Sequence, residues 1–156
     1  MSKLARELLE ARAVVTRDGR SIPLHSETTV AQCEFLTGLI RDIDAKVCLE
    51  VGLAFGISSL FICDEIAKKP GATFISIDPF NWHDYIGLYN LERAGFKDLV
   101  RFHGDYSGNV LPKLLEGGGG TTRFRLRGLD QGLRYSSCGR SLLDEDAQGW
   151  RDHRVR

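Results

Sequence analysis

The chain has 156 residues, in which 21 Lys and Arg balance 21 Asp and Glu. A formal net charge of zero leaves no electrostatic footprint for nucleic acid, and ordinary apolar and charged fractions exclude a disordered polyelectrolyte. The length suits one domain with a sizeable core, and no stretch is long and apolar enough to span a bilayer.

Cys33, Cys48, Cys63 and Cys138 show no Cys-x-x-Cys spacing, and three of them lie inside apolar patterns where cysteine behaves as a small buried hydrophobe. Reduced thiols are expected. The polar start Met1-Ser2-Lys3 is not followed by a signal-peptide apolar run, so the expected location is cytoplasmic, with neither a membrane nor a nucleic-acid partner.

From Ser2 to Val15, Leu4, Leu8, Leu9 and Ala13 recur among charged residues at roughly helical spacing, which predicts an amphipathic helix. Such a helix suits a lid or a subunit interface, and homo-oligomerisation is left open. Asp18-Gly19-Arg20 marks a turn, and Ser21 to His25 is extended because the residue before Pro23 is pushed out of the helical region. Ser26 is placed to cap a helix that shows Val30, Cys33, Leu36 or Thr37, and Ile40 on one face.

The run Val47-Cys48-Leu49-Glu50-Val51 reads as a short apolar strand with an acid near its end, followed by the small-residue turn Gly52-Leu53-Ala54-Phe55-Gly56 and a strongly apolar helix from Ile57 to Lys68. Strand, turn and helix in this order let backbone approach a ligand closely and aim new helix N–H groups at it. The turn lacks the Gly-Lys-Ser/Thr ending of a P-loop and the Gly-x-Gly-x-x-Gly of dinucleotide folds. Lys68-Lys69-Pro70-Gly71 stops the helix. Thr73 to Asp78 is a second strand, ending on an acid 22 positions past Gly56. In a nucleotide-binding βαβ unit, an acid there reaches a ribose; the competing role for Asp78 is a turn ahead of Pro79. Asp84 to Ala94 predicts a helix ended by Gly95, Leu99 to His103 a third strand, and Asn109 to Glu116 a short helix with Pro112 near its first turn.

The turn Glu50-Val51-Gly52-Leu53-Ala54-Phe55-Gly56 resembles the first motif of the class I S-adenosylmethionine-dependent methyltransferases, an acid followed by Gly-x-Gly-x-Gly, with Ala54 in place of the middle glycine. Asp78-Pro79-Phe80 with Trp82 and His83, then Gly87 to Gly95, resembles a bacterial O-methyltransferase-like branch. The resemblance covers about residues 21–116. It implies an α/β, Rossmann-like fold represented by its N-terminal half, strands one to three with flanking helices, and S-adenosylmethionine as cofactor. Glu50 would hold the methionine end, Gly52, Ala54 and Gly56 would admit it, and Asp78 would take the ribose. Phe80 or Trp82 would cover the adenine, and Asp105 with Tyr106 would receive it. Trp82 packing between helix and sheet, and Asp105 capping the next helix, are the competing roles.

The implied chemistry is methyl transfer to a small-molecule acceptor, through oxygen. The catalytic group is not identified, although His25 and His83 are in range, with a surface or packing histidine as the competing role for His25; Ser26 is a further site candidate, no metal ligand is assigned, and metal dependence is left open. Two other readings stand beside it: a non-catalytic cofactor-binding fragment or pseudoenzyme, and a nicotinamide-dependent oxidoreductase in which Asp78 holds that ribose.

Residues 1–116 are therefore read as the cofactor-binding part and 117–156 as an atypical Gly/Arg-rich tail. Residues 1–116 hold nine isoleucines, six lysines and seven arginines, whereas the tail has no isoleucine, no lysine and eight arginines. Arg123-Phe124-Arg125-Leu126-Arg127 alternates like an edge strand, unlike the apolar strand that a central parallel position needs. A shift of coding frame near residue 117 is one explanation: one permitted choice of codons for Trp150 to Arg156, read one base later, would translate as GGIIGF, the glycine turn and strand that the resemblance predicts; a naturally divergent or disordered tail is the alternative. A chain without that half is expected to be marginal or aggregation-prone.

Overall fold

A computed structural model of the chain describes residues 2–25 and 28–117. The expectations for Ser26, for Cys138 and for the tail from residue 118 lie outside the described residues. The chain divides into two compact units, the first ending at Tyr106 and the second beginning at Ser107.

In the first unit the order is α1 (Lys3–Ala11), β1 (Ala13–Val15), β2 (Ser21–Pro23), α2 (Val30–Asp42), β3 (Val47–Val51), α3 (Ile57–Ile66), β4 (Thr73–Ile77), α4 (Ile86–Arg93), a 3₁₀ turn (Lys97–Leu99) and β5 (Val100–His103). Strands β3, β4 and β5 form a parallel sheet in that order, with Val47 opposite Thr73 and Phe74 opposite Val100. These are the three strands expected of the Rossmann-like half. Four of the five β4 residues are buried, as a central parallel strand covered on both faces requires. Helix α3 buries eight of its ten residues, Leu60, Phe61, Cys63 and Ile66 among them, because it packs between the sheet and the helices α1, α2 and α4.

The first helix is shorter than its periodicity predicts. Arg12 turns left-handed (φ 48°) and ends α1, and Val14 is drawn into an antiparallel hairpin opposite Ile22. The β-branched Val14-Val15 pair finds a partner strand, with Val14 fully buried, and that outweighs the continuing helical spacing. The cap of α2 is Thr29 rather than Ser26. Its hydroxyl accepts the Gln32 N–H (3.3 Å) and the Gln32 side chain accepts the Thr29 N–H (3.0 Å), a reciprocal capping box. Of the predicted inner face, Cys33 and Ile40 are buried while Val30 is exposed. At the other end of α2 the Lys69 ammonium donates to the carbonyls of Ile40 (3.3 Å) and Ala45 (3.0 Å), which ties α3 to the turn before β3.

Helix α4 begins at Ile86, not Asp84, because His83, Asp84 and Tyr85 all adopt left-handed backbone (φ 44°, 57° and 54°). In the second unit α5 runs Ser107–Gly117, two residues earlier than predicted, which places Pro112 at its sixth position, where it deprives the Gly108 carbonyl of a helical donor.

Candidate functional site

The site is built on the turn between β3 and α3. Gly52, Ala54 and Gly56 take positive φ (93°, 44° and 76°), so every second residue reverses the backbone. A side chain on Gly52 would meet nothing within 4 Å, which leaves that stretch of backbone open to a ligand. Ala54 is the residue that departs from the glycine pattern, and it does sit where glycine is preferred. At Gly56 the chain enters α3 without a side-chain cap, so the first-turn N–H groups of that helix lack intrahelical acceptors.

Three tertiary ties hold the turn. The first is Asp78, at the carboxyl end of β4 and only 4% exposed. Its Oδ2 accepts the N–H groups of Leu53 (2.7 Å) and Ala54 (3.0 Å), and its Oδ1 accepts that of Phe80 (2.9 Å). The second is Asn90 on α4, whose Nδ2 donates to the Phe55 carbonyl (3.0 Å) in a fully buried setting. The third is steric. A Cβ on Gly87 would lie 2.6 Å from the Ala54 carbonyl oxygen and 2.7 Å from Leu53 Cγ, so α4 reaches the turn only because residue 87 has no side chain.

Glu50 lies across the turn from Asp78. The hydroxyls of Ser58 and Ser59, in the first turn of α3, donate one to each of its carboxylate oxygens. Burial pushes the Glu50 carboxyl above its ordinary range, the two hydroxyls oppose that shift, and the Asp78 carboxylate adds to it. The nearby thiols are packing groups. Burial first, and Glu50 second, raise Cys33 to about 12, while burial raises Cys48 to about 11, far from a reactive thiolate.

Aromatic side chains line the strand ends. Phe80 and Tyr106 are 58% and 62% exposed and meet edge to face with centroids 6.4 Å apart. Trp82 is also exposed. Asp105 is half-buried and accepts the Tyr106 N–H (2.7 Å). On the Phe55 side of the turn, His25 packs edge to face on the Phe55 ring at 5.0 Å and His83 stacks on it at 6.4 Å.

Every residue singled out from the sequence for the cofactor thus lies on the turn or at the ends of the strands beside it. Sequence reasoning missed Ser58, Ser59, Gly87 and Asn90. Only Gly87 carried a local signal, since a glycine inside a helical pattern needs a packing reason.

No family model matches the chain, and no curated protein matches it. Solved structures do. The O-methyltransferase TomG from Streptomyces achromogenes, involved in tomaymycin synthesis and solved in complex with SAM, aligns with a TM-score of 0.55 at 24% identity, covering 75% of this chain and 47% of TomG. An O-methyltransferase from Bacillus cereus in complex with SAH gives a TM-score of 0.58 at 21% identity over 74% of this chain and 49% of that one. The fold is that of the class I methyltransferases. The chain spans about half the length of these solved structures.

Proposed function

We propose that this chain is an S-adenosylmethionine-dependent methyltransferase, or the cofactor-binding half of one, acting on a small-molecule oxygen acceptor. The observation that carries the reading is the turn itself: three alternating positive-φ residues, open at Gly52, set before an uncapped α3 and fixed by Asp78. Structural neighbours solved with SAM and SAH favour the same ligand.

The residues fit that cofactor. The methionine end would lie on the backbone of Gly52, Ala54 and Gly56, where the α3 N–H groups suit its carboxylate and Glu50 suits its ammonium. Asp78 has about four acceptor positions on its two oxygens, three of them taken by backbone, so one is left for a ribose hydroxyl. Phe80 and Tyr106 would flank the adenine, with Asp105 at its amino group. When bound, the sulfonium supplies the electrophilic methyl; the chain orients it and its acceptor in line.

Calorimetric titration of the chain with S-adenosylhomocysteine tests this directly. Binding is expected, and Phe80→Ala with Tyr106→Ala should weaken it about tenfold or more without changing the fold, because each exposed ring supplies about 1–3 kcal/mol of stacking. Binding of NADH without binding of S-adenosylhomocysteine would replace the reading with an oxidoreductase. The half-length match, with Val47 and Val51 of β3 left 44% and 40% exposed, favours a second reading: a fragment that binds the cofactor but does not turn over. Cofactor binding without methyl transfer to any of a panel of phenolic and aliphatic hydroxyls selects it.

A further inference from the structure

We infer that His25 and His83 form the acceptor side of the methyl-transfer site, with His83 the group that takes the acceptor's hydroxyl proton; this rests on the methyltransferase reading above. The two imidazoles come from segments far apart in the sequence, the exit of β2 and the turn after β4, yet both pack on one ring. That ring, Phe55, is itself held. It lies between the left-handed residues Ala54 and Gly56, its carbonyl is fixed by Asn90, and its side chain is buried, whereas both histidines are exposed. A buried ring with two exposed imidazoles packed on it makes two proton acceptors available beside the cofactor turn.

A second aromatic pair differs in chemistry. Phe80 and Tyr106 offer π-surfaces and Asp105 a hydrogen-bond acceptor, which suit a heteroaromatic base. The strand ends thus carry a stacking pair and an imidazole pair, and the assignment gives the adenine to the first and the reactive methyl to the second.

The backbone at His83 strengthens the assignment. His83, Asp84 and Tyr85 are three consecutive left-handed residues, none of them glycine, and each such residue costs roughly 1–2 kcal/mol. The run persists because it is over-determined: the Asn81 side chain accepts the Tyr85 N–H (2.8 Å), the Trp82 carbonyl accepts the Ile86 N–H (3.0 Å), and α4 is locked to the turn through Gly87. Strain held in this way at a strand's carboxyl end fixes where His83 stands.

In the step assigned, an imidazole nitrogen of His83 accepts the acceptor's O–H proton as the oxygen forms a bond to the methyl carbon. The carbon–sulfur bond breaks with its electron pair going to sulfur, which becomes a neutral thioether, and the imidazolium then returns its proton to water.

The test needs no acceptor and no turnover. The full chain is labelled with ¹³C in its four histidines and saturated in turn with S-adenosylmethionine and S-adenosylhomocysteine, which differ only by the methyl group and its positive charge. Signals are assigned with His25→Asn and His83→Asn, asparagine being tolerant of left-handed backbone. The ring signals of His25 and His83 are expected to differ between the two saturated complexes by more than a line width. Identical positions in both complexes, with both ligands bound by calorimetry, would overturn the inference and leave the methyltransferase reading standing. Absence of binding by either ligand would overturn both.

Discussion

Two carboxylates stand on either side of the same turn and are satisfied in opposite ways. Asp78, at the end of β4, receives three backbone N–H groups, two of them from the turn itself. Glu50, in β3, receives two side-chain hydroxyls from the start of α3. Backbone donors cannot rotate away, so Asp78 fixes the path of the chain. Hydroxyls can, so Glu50 is held in a setting that another ligand can reorganise. The same functional group within one site therefore serves shape in one place and response in the other.

That contrast is broken most directly at Asp78. Asp78→Ala leaves the buried Leu53 N–H without an acceptor and turns the part-buried Ala54 and Phe80 N–H groups to water, and with about 1–3 kcal/mol for the buried group the expected loss is about 2 kcal/mol or more. Urea unfolding measures it. A loss below about 1 kcal/mol would mean that the turn keeps its path without the carboxylate, and the distinction between the two acids would go.

The second effect tests whether packing shares that task. Gly87→Ala places a methyl group against the Ala54 carbonyl and the Leu53 side chain, and overpacking of this kind costs about 1–3 kcal/mol. Alanine is the better helix former by about 1 kcal/mol, so the exposed-helix expectation has the opposite sign. A stabilised Gly87→Ala variant would show that α4 does not press on the turn. A destabilised one with S-adenosylhomocysteine binding weakened in parallel would show that turn shape and ligand affinity are one property.

What could be read in the sequence follows from which forces are local. The β4 run and Asp78 at its end were legible because a central parallel strand is apolar on both faces, and the spacing from Gly56 fixes where its acid emerges. Thr29-Val30-Ala31-Gln32 was also legible as a capping box, although Ser26 drew the assignment. The partners of the turn were not legible, since Asn90 meets Phe55 and Gly87 meets Ala54 only through tertiary packing. The end of α1 depended on Val14 finding Ile22, which periodicity within the helix cannot report. Val47 and Val51 of β3 are exposed where β4 is buried, although both runs are mostly apolar in the sequence.

Glu50 supplies a test of sign. Its carboxyl is raised above the ordinary value of 4.5, chiefly by burial, so folding makes Glu50 harder to ionise than it is in the unfolded chain. The stability that the neutral form contributes is complete below pH 4.5 and is lost as pH rises through the folded value. Glutamine never ionises, and its oxygen and amide can meet one hydroxyl each. Glu50→Gln should therefore gain stability relative to the parent chain between a pH below 4.5 and neutrality, read as a widening gap between their unfolding midpoints. Parallel pH profiles would show that Glu50 is as well solvated in the folded chain as in the unfolded one.

The smallest effect is at Ala54, and it separates a strained turn from a merely unusual one. A non-glycine residue at φ 44° costs roughly 1–2 kcal/mol, while glycine adds about 0.4–1 kcal/mol of unfolded-state entropy. Ala54→Gly should then stabilise the chain by about 0.5–1 kcal/mol, small but measurable as a shift in unfolding midpoint. If stability rises and S-adenosylhomocysteine affinity is unchanged, Asp78 alone sets the turn, and alanine is simply borne at its expense. If stability rises while affinity falls, the methyl group of Ala54 itself touches the ligand, and the residue that departs from the glycine pattern is the one that tunes it.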